Sequence, residues 1–336
     1  MKLSICIVNY NSKSLLSACL ESIAHHPPCC EYEVVVVDNG SVDGSQGCVQ
    51  RHTSARLIQN VTNEGFARGN NTAVDESRGD LLLLLNADTE VQTRALDELV
   101  SAAEANPMAG QITARLVNRD GSAQVGFNVR RLPGYASSVS QLLLLDEAFP
   151  NNPFKRSADC EALDYDRLQT VEQPAASALL VRRTAWEQLG GFDSKFPNWY
   201  NDCDLSMRML AAGWESWLCP SARVFHHGGK GAAARELVGA MIEVYQSQRL
   251  YFKKHRGVTG YWLISGMTIC GMLLRSLVLR IFPNRGRHGS GVVARTDSAA
   301  LRYAYEAVLV DTLRTWRSLV ASARSQGCEI GSGGSN

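Results

Sequence analysis

A chain of 336 residues that is 45% hydrophobic has apolar side chains enough for a sizeable core and length for about two domains, or for one large α/β domain with a tail. Its 34 Lys and Arg against 33 Asp and Glu leave a net charge of +1, which argues against nucleic acid as a bulk electrostatic partner. The ten cysteines are scattered, with Cys29 and Cys30 adjacent and no C-x-x-C or finger spacing. Reduced thiols in a reducing compartment are therefore expected, not a disulfide framework.

The N-terminal "MKLSICIVNYN" reads as a strand that starts at once, with no cleavage-like secretory segment. "SKSLLSACLESIAHH" comes next, with Leu15, Leu16, Cys19, Leu20 and Ile23 at helical spacing, and then the apolar run "YEVVVVDNGSVDGS". Strand, helix, strand with all-apolar strands is a βαβ unit of a parallel sheet buried on both faces. "ARLIQN" adds a short strand, "FARGNNTAVDES" a helix after a glycine turn, and "DLLLLLNAD" another buried strand. "TRALDELVSAAEANP" is an amphipathic helix closed by Asn-Pro. Residues 1–115 thus alternate β and α, which predicts an α/β fold built on an open, doubly wound, mostly parallel sheet. No G-x-G-x-x-G or GxxxxGK[ST] fingerprint follows the first strand, so dehydrogenase and P-loop readings are weak.

Open sheets of this kind bind ligands beyond the carboxyl ends of their strands. Here those ends are polar: Asn9-Tyr10-Asn11, Asp38-Asn39-Gly40-Ser41 and Asn86-Ala87-Asp88. Asp88 reads either as a cap of the next helix or as a carboxylate delivered into a cleft. Three polar tips on one rim favour the cleft.

In the C-terminal third, "YWLISGMTICGMLL" (261–274) is uncharged and shorter than the roughly 20 residues of a spanning helix. Basic residues flank it: Lys253, Lys254, His255 and Arg256 before, Arg285 and Arg287 after. That pattern suits a helix lying on a membrane surface and equally an ordinary buried helix. A true span is disfavoured by Arg275 and Arg280. The helix "SAALRYAYEAVLVDTLRTWRSLVASA" and a Gly/Ser end, expected to be disordered, close the chain.

The ordered series "SICIVNYNS", "VVVVDNGSVDGS", "NEGFARGNN", "LLLLNADT" resembles the inverting GT-A glycosyltransferases of family 2, and within them the rhamnosyltransferase-type branch. "ASALLVRRTAWEQLGGFDSKFPNWYNDCDLSMRMLAAGW" followed by "VFHHGG" resembles the acceptor-side segment of that branch. The likeness runs over roughly residues 3–255. It implies a glycosyltransferase domain over 1–255, with a nucleotide-sugar half (1–115) and an acceptor half (116–255). A helical, membrane-associating extension (256–325) and a tail (326–336) would come after it.

Carried over by position, the resemblance implies that Asp38 contacts the nucleotide and that Asn63 to Asn70 wrap it, with Phe66 in that segment and Gly65 and Gly69 allowing close backbone approach. Asn9, Asn11 and Asn86 would line the same donor site. Asn86-Ala87-Asp88 matches the family's D-x-D-like position, so Asp88 would hold a divalent metal, Mg²⁺ or Mn²⁺, on the donor diphosphate. His226 matches a further metal ligand, with His227 the weaker candidate. Lys230 and Arg235, in "HHGGKGAAAR", would add charge over the donor. The segment usually written Glu-Asp-x-Asp is Asn201-Asp202-Cys203-Asp204 here, which puts Asp202 at the general-base position. The departure at Asn201 leaves an amide that can hydrogen-bond an acceptor hydroxyl but cannot take its proton. Asp202 and Asp204 also read as N-terminal helix charges. Trp199 and Tyr200, beside the base, are candidates for the acceptor platform, while Trp214 and Trp217 read equally as core. Asp193 reads as a turn residue or as an acceptor neighbour.

The resemblance implies a metal-dependent inverting transferase, with dTDP-rhamnose the expected donor and a lipid-linked or growing cell-surface glycan the acceptor. It would work in the cytoplasm, peripherally on the inner face of the cytoplasmic membrane. Two other readings stay open: a nucleotidyltransferase, for which "NYNSKS" offers one lysine and no glycine, and a nucleotide-sugar-binding module without turnover.

Overall fold

The computed structural model describes residues 1–51, 55–228, 237–282 and 298–329, with side chains to 317. In chain order the elements are β1 (Leu3–Asn9), α1 (Lys13–His25), β2 (Tyr32–Asp38), α2 (Ser45–Arg51), β3 (Ala55–Gln59), α3 (Phe66–Asp75), β4 (Leu81–Asn86), β5 (Thr89–Val91) and α4 (Ala95–Ala105). Next come β6 (Ala109–Val117), β7 (Val129–Arg130), α5 (Tyr135–Leu142), α6 (Leu145–Ala148), α7 (Pro153–Ala158), β8 (Gln169–Thr170), β9 (Gln173–Pro174) and β10 (Ala178–Arg182). The last are α8 (Arg183–Leu189), α9 (Asn201–Ala211), β11 (Glu215–His226), α10 (Leu237–Ile281) and α11 (Ser298–Glu329).

The chain forms two compact units, one of residues 1–134 and 153–234, the other of residues 135–152 and 235–336. The first holds a sheet of order β3-β2-β1-β4-β10-β6-β11-β5, with β8 paired to β11. β3, β2, β1 and β4 run parallel, as their all-apolar sequences require. β10 enters antiparallel between β4 and β6, and β11 returns parallel to β6. The long β11 tolerates Pro220 because its register slips between Cys219 and Arg223, where no ladder donor is needed.

The five leucines of β4 are all at most 2% exposed because both faces of the sheet are covered. Leu81, Leu83 and Leu85 face one cluster with Ile5, Ile7, Val34, Val36 and the inward face of α1 (Leu16, Cys19, Leu20, Ile23). Leu82 and Leu84 face the other, with Cys6, Val35, Val37, Trp186, Phe192, Leu205 and Met209. Period-two alternation along a buried strand thus feeds two cores at once. Each buried leucine contributes about 1.5–3 kcal/mol by transfer from water.

In the second unit α10 packs along α11 and against α5. It is interrupted at Gly257, whose φ of +72° a residue with a Cβ adopts only under strain. Residues 135–152, which the sequence places within the acceptor half, cluster with these helices instead. Arg249 is 2% exposed and donates to Thr312 Oγ1 (2.8 Å) and Asp311 Oδ2 (2.6 Å) on α11. Arg275 turns inward as well. It pairs with Glu147 at 3.1 Å, donates to the Gln141 carbonyl and lies 5.7 Å from the centroid of the Tyr305 ring. The nine cysteines whose side chains are described are all free thiols.

Candidate active site

The parallel register brings the polar strand ends together, with Asn9 paired to Asp38 across β1–β2 and Val8 to Asn86 across β1–β4. Asn9, fully buried, donates from Nδ2 to Asp38 Oδ1 (2.8 Å) and Ser41 Oγ (3.1 Å). Asp38 Oδ2 accepts from Ser41 N (3.0 Å) and Gln46 Nε2 (2.7 Å), so three protein donors already engage this carboxylate. Asn11 takes a left-handed φ of +48° and ties the turn to the second loop. Its N–H donates to Ser41 Oγ (2.9 Å), and its Oδ1 accepts from Val42 N (2.8 Å). The oxygens Asn9 Oδ1 and Asn86 Oδ1 are buried without a hydrogen-bond partner. A buried acceptor left open at a strand tip is a costly feature in a fold and a ready one for a ligand N–H, hydroxyl or cation.

The segment expected to wrap a nucleotide forms the entrance to α3. Asn63 Oδ1 accepts from Gly65 N at 3.0 Å, and Gly65 enters the helix with φ of +88°. A Cβ on Gly65 would lie 3.0 Å from the Pro197 carbonyl oxygen, so the close approach it permits is to the 197–198 loop. Phe66 N donates to Asn198 Oδ1 (3.1 Å) and Ala67 N to Pro197 O (2.9 Å). Gly69 lies against β1, where a Cβ would meet Val8 at 2.7 Å. Asn70 is buried and bonds back to Phe66 O at 2.9 Å. Asn39, part of the polar end of β2, bridges Gly65 O (3.0 Å) and Asn60 Nδ2 (2.8 Å), joining the second strand end to this loop.

Asp88 and His226 are brought together by sheet register. Strand β11 pairs antiparallel with β5, His226 opposite Thr89, and His227 N donates to Asp88 O at 2.9 Å. His226 Nε2 then lies 3.5 Å from Asp88 Oδ1, both residues buried. Burial alone would raise the Asp88 carboxyl. The imidazole of His226 beside it, then the local backbone N–H and His227, outweigh it and hold the group below the usual carboxylate range. His227 turns the other way, to Glu90 Oε1 at 2.7 Å. A cavity of about 170 Å³ opens beside the pair, lined by Asn118, Arg119, Gln124, His226 and His227. Among the described residues no group of three or more His, Cys, Asp or Glu is gathered to hold a metal ion. A cation at Asp88 and His226 would therefore complete its shell with other oxygens. The donor set of one carboxylate oxygen and one imidazole nitrogen, with Asn86 Oδ1 open two residues away, suits a divalent ion that keeps phosphate or water ligands.

Asp202 lies in the first turn of α9, entered through Tyr200 at φ +64°. Asn201 Oδ1 accepts from Asp202 N (2.8 Å), and Asp202 Oδ1 accepts from Cys203 N (2.8 Å). Burial pushes the Asp202 carboxyl above its ordinary value, and the backbone bond from Cys203 and the charge of Arg130 only partly counter this. Asn201 Nδ2 and Trp199 Nε1 are buried donors without a partner. Asp204 is fully buried and pairs with Arg208 Nε at 2.8 Å, while Arg208 also donates to Leu189 O and Gly191 O. Asp204 thus fastens α9 to the preceding loop. Asp193 Oδ1 accepts from Lys195 N at 3.0 Å, a turn contact. Lys230 and Arg235 lie outside the described residues.

Residues 4–159 match the family model described as Glycosyl transferase family 2. N-acetylglucosaminyl-diphospho-decaprenol L-rhamnosyltransferase of Mycobacterium tuberculosis (strain ATCC 25618 / H37Rv) is 32% identical over 210 residues, which is 58% of this chain and 66% of that protein. The chain therefore spans just under two thirds of that relative's length. O-antigen biosynthesis protein RfbC of Myxococcus xanthus is 27% identical over 230 residues, 67% of this chain and 17% of that protein. Among solved structures, a mannosyltransferase from Pyrobaculum calidifontis in complex with GDP-Man and Mn²⁺ superposes with a TM-score of 0.53 at 16% identity, covering 93% of this chain and 86% of that one. GalNAc-T7 with UDP, GalNAc and Mn²⁺ gives 0.51 at 15% identity, covering 77% of this chain and 51% of that one. These two share the fold.

Proposed function

The chain belongs to glycosyl transferase family 2 through residues 4–159, and from that premise we propose that it moves a sugar from a nucleotide-sugar donor to a hydroxyl of a lipid-linked or growing cell-surface glycan, with inversion. The donor is dTDP-rhamnose and the acceptor a lipid-linked saccharide, a reading supported by the name of the mycobacterial relative. The observation that carries the proposal is the buried Asp88–His226 pair, 3.5 Å apart at the strand ends and next to open acceptor oxygens.

Asp88 Oδ1 and His226 Nε2 would hold the divalent ion, Mn²⁺ or Mg²⁺. When bound, the ion supplies Lewis-acid neutralisation of the departing diphosphate. Asn9, Asn11, Asp38, Asn63, Gly65, Phe66, Gly69, Asn70 and Asn86 form the donor side, with Lys230 as an added cation. Several of these act by shaping the turn, because their side chains are engaged within the protein. Asp202 takes the proton from the acceptor hydroxyl. Its burial raises its basicity relative to an exposed aspartate, which improves proton acceptance in the transition state. The buried N–H groups of Asn201 and Trp199 bind acceptor oxygens, with Tyr200 beside them. Asn201 thus contributes recognition where the family pattern has a carboxylate.

With such an acceptor the enzyme would work peripherally on the inner face of the cytoplasmic membrane. α10 supports that reading: among the described residues it is the one helix long and apolar enough to cross a membrane by length and composition. Its exposed positions Leu263, Cys270, Leu273, Leu277 and Ile281 recur at helical spacing. Arg275 faces inward, away from that stripe, and Lys253, Lys254 and Arg256 are exposed at one end. An apolar stripe with a basic end lies on an anionic bilayer better than it spans one.

The test is turnover of a panel of nucleotide sugars with Mn²⁺, with and without a polyprenyl-diphosphate saccharide. The expected result is transfer from dTDP-rhamnose, lost in Asp202→Asn, with donor hydrolysis and transfer both lost in Asp88→Ala. Nucleotide sugar left intact under all conditions would leave a binding module, and formation of a nucleotide sugar from a sugar phosphate would make the chain a nucleotidyltransferase.

A further inference from the structure

We propose that Gln124 is a positioning residue that fixes the tautomer and direction of His226, so that the bare Nε2 of the imidazole faces Asp88. This rests on the reading of Asp88 and His226 as the cation site, but its structural core stands apart from turnover.

Gln124 is held by its backbone in the turn after β6: its N–H donates to Leu116 O (3.0 Å), and its carbonyl accepts from Asn128 N (2.9 Å). Its side chain then clasps His226 at two points. Nε2 donates to the His226 carbonyl at 2.8 Å and lies 3.2 Å from Asn118 Oδ1, also an acceptor. Rotating the amide would set its oxygen against both acceptors, so the amide has one workable orientation. Oε1 therefore faces the ring, 2.8 Å from His226 Nδ1, and a carbonyl oxygen only accepts. Nδ1 must carry the proton. In the neutral imidazole Nε2 is then a lone pair, and it points at a carboxylate oxygen 3.5 Å away. Two acceptors facing each other in a buried place call for a positive charge between them. Phe127 closes the remaining freedom by stacking on the ring, with centroids 4.8 Å apart and planes 15° from parallel. Ligand histidines are commonly aimed in this way through their second nitrogen. Here the work falls to an amide 102 residues away in sequence, which no motif marks.

The test is ¹⁵N NMR of the His226 ring in the full-length protein without metal, at a pH raised until its shifts stop changing. The wild type should show Nδ1 protonated and Nε2 bare. Gln124→Leu, at a half-buried position, should show a mixture of tautomers. Gln124→Glu keeps an acceptor at Nδ1 and should keep that nitrogen protonated, while its second oxygen, set against the His226 carbonyl, should lower the melting temperature. In a second arm Mn²⁺ alone is titrated and the broadening of the His226 resonances tracked. Gln124→Leu should need at least about tenfold more Mn²⁺ than wild type, the size of effect usual for outer-sphere partners of metal-binding histidines. A wild-type ring protonated on Nε2, or a Gln124→Leu ring indistinguishable from wild type, overturns the proposal. If the tautomer is as stated and Mn²⁺ leaves His226 untouched in the wild type, the metal reading of the site fails while the role of Gln124 in aiming the ring stands.

Discussion

Two carboxylates two residues apart in α9 have been given opposite work by their surroundings. Asp204 is sealed against Arg208 and serves the fold. Asp202 has no such cation clamped to it at bonding distance among its described contacts, and burial raises its carboxyl. The folded chain holds the Asp202 proton more tightly than the unfolded chain, so ionising it removes stability as the pH climbs from the unfolded value through the folded one. Asp202→Asn should therefore raise the melting temperature at pH 7 and lose that advantage below the usual carboxylate range. Transfer should fall by at least about 10²-fold, the lower end for loss of a general base. Thermal melts at the two pH values, beside initial rates, check both halves, and a variant less stable than wild type at pH 7 contradicts the buried-charge account. At this scale the sequence marked Asp88, Asp202 and His226 through their motifs. It was silent on Gln124, because an amide in a turn carries no pattern until the chain is folded around it.

The strands explain why Asp88 ends a run of leucines. β4 is covered on both faces, so every position from Leu81 to Leu85 is apolar, and the first residues past the core are the first free to be polar. Shortening one of these side chains opens a cavity that neighbouring strands cannot close. Leu83→Ala should cost about 2–5 kcal/mol in urea unfolding, and a loss under about 1 kcal/mol would mean the two cores are loosely packed. Unbroken β-branched and leucine runs made β1, β2 and β4 readable, as did the spacing Leu16, Cys19, Leu20, Ile23 on α1. β10 and the pairing of β5 with β11 were not readable. Five apolar-rich residues in "ALLVR" suit a strand or a buried helix, and the register that sets Thr89 opposite His226 is fixed by tertiary contacts. That unreadable register is what builds the site.

At the scale of the molecule, the sequence left open whether the apolar C-terminal helix is core or surface-seeking, and α10 is both. One side packs on α5 and α11, and the other leaves Leu263, Leu273, Leu277 and Ile281 exposed, with Arg280 the charge at the C-terminal end of the stripe. Replacing Leu263, Leu273 and Leu277 by Ser should release the protein from anionic lipid vesicles in a sedimentation assay and leave its melting temperature within a few degrees of wild type. Equal sedimentation of variant and wild type would direct the stripe elsewhere. Catalysis as proposed needs above all a cation held between Asp88 and His226. Crystals grown with Mn²⁺ and the donor's nucleoside diphosphate, and measured for anomalous scattering of manganese, test it most directly. The account predicts one strong peak at coordination distance, about 2.0–2.2 Å, from Asp88 Oδ1 and His226 Nε2, joined to the diphosphate. Diphosphate bound at the strand ends with no manganese at that pair, or manganese bound away from both side chains, would contradict it.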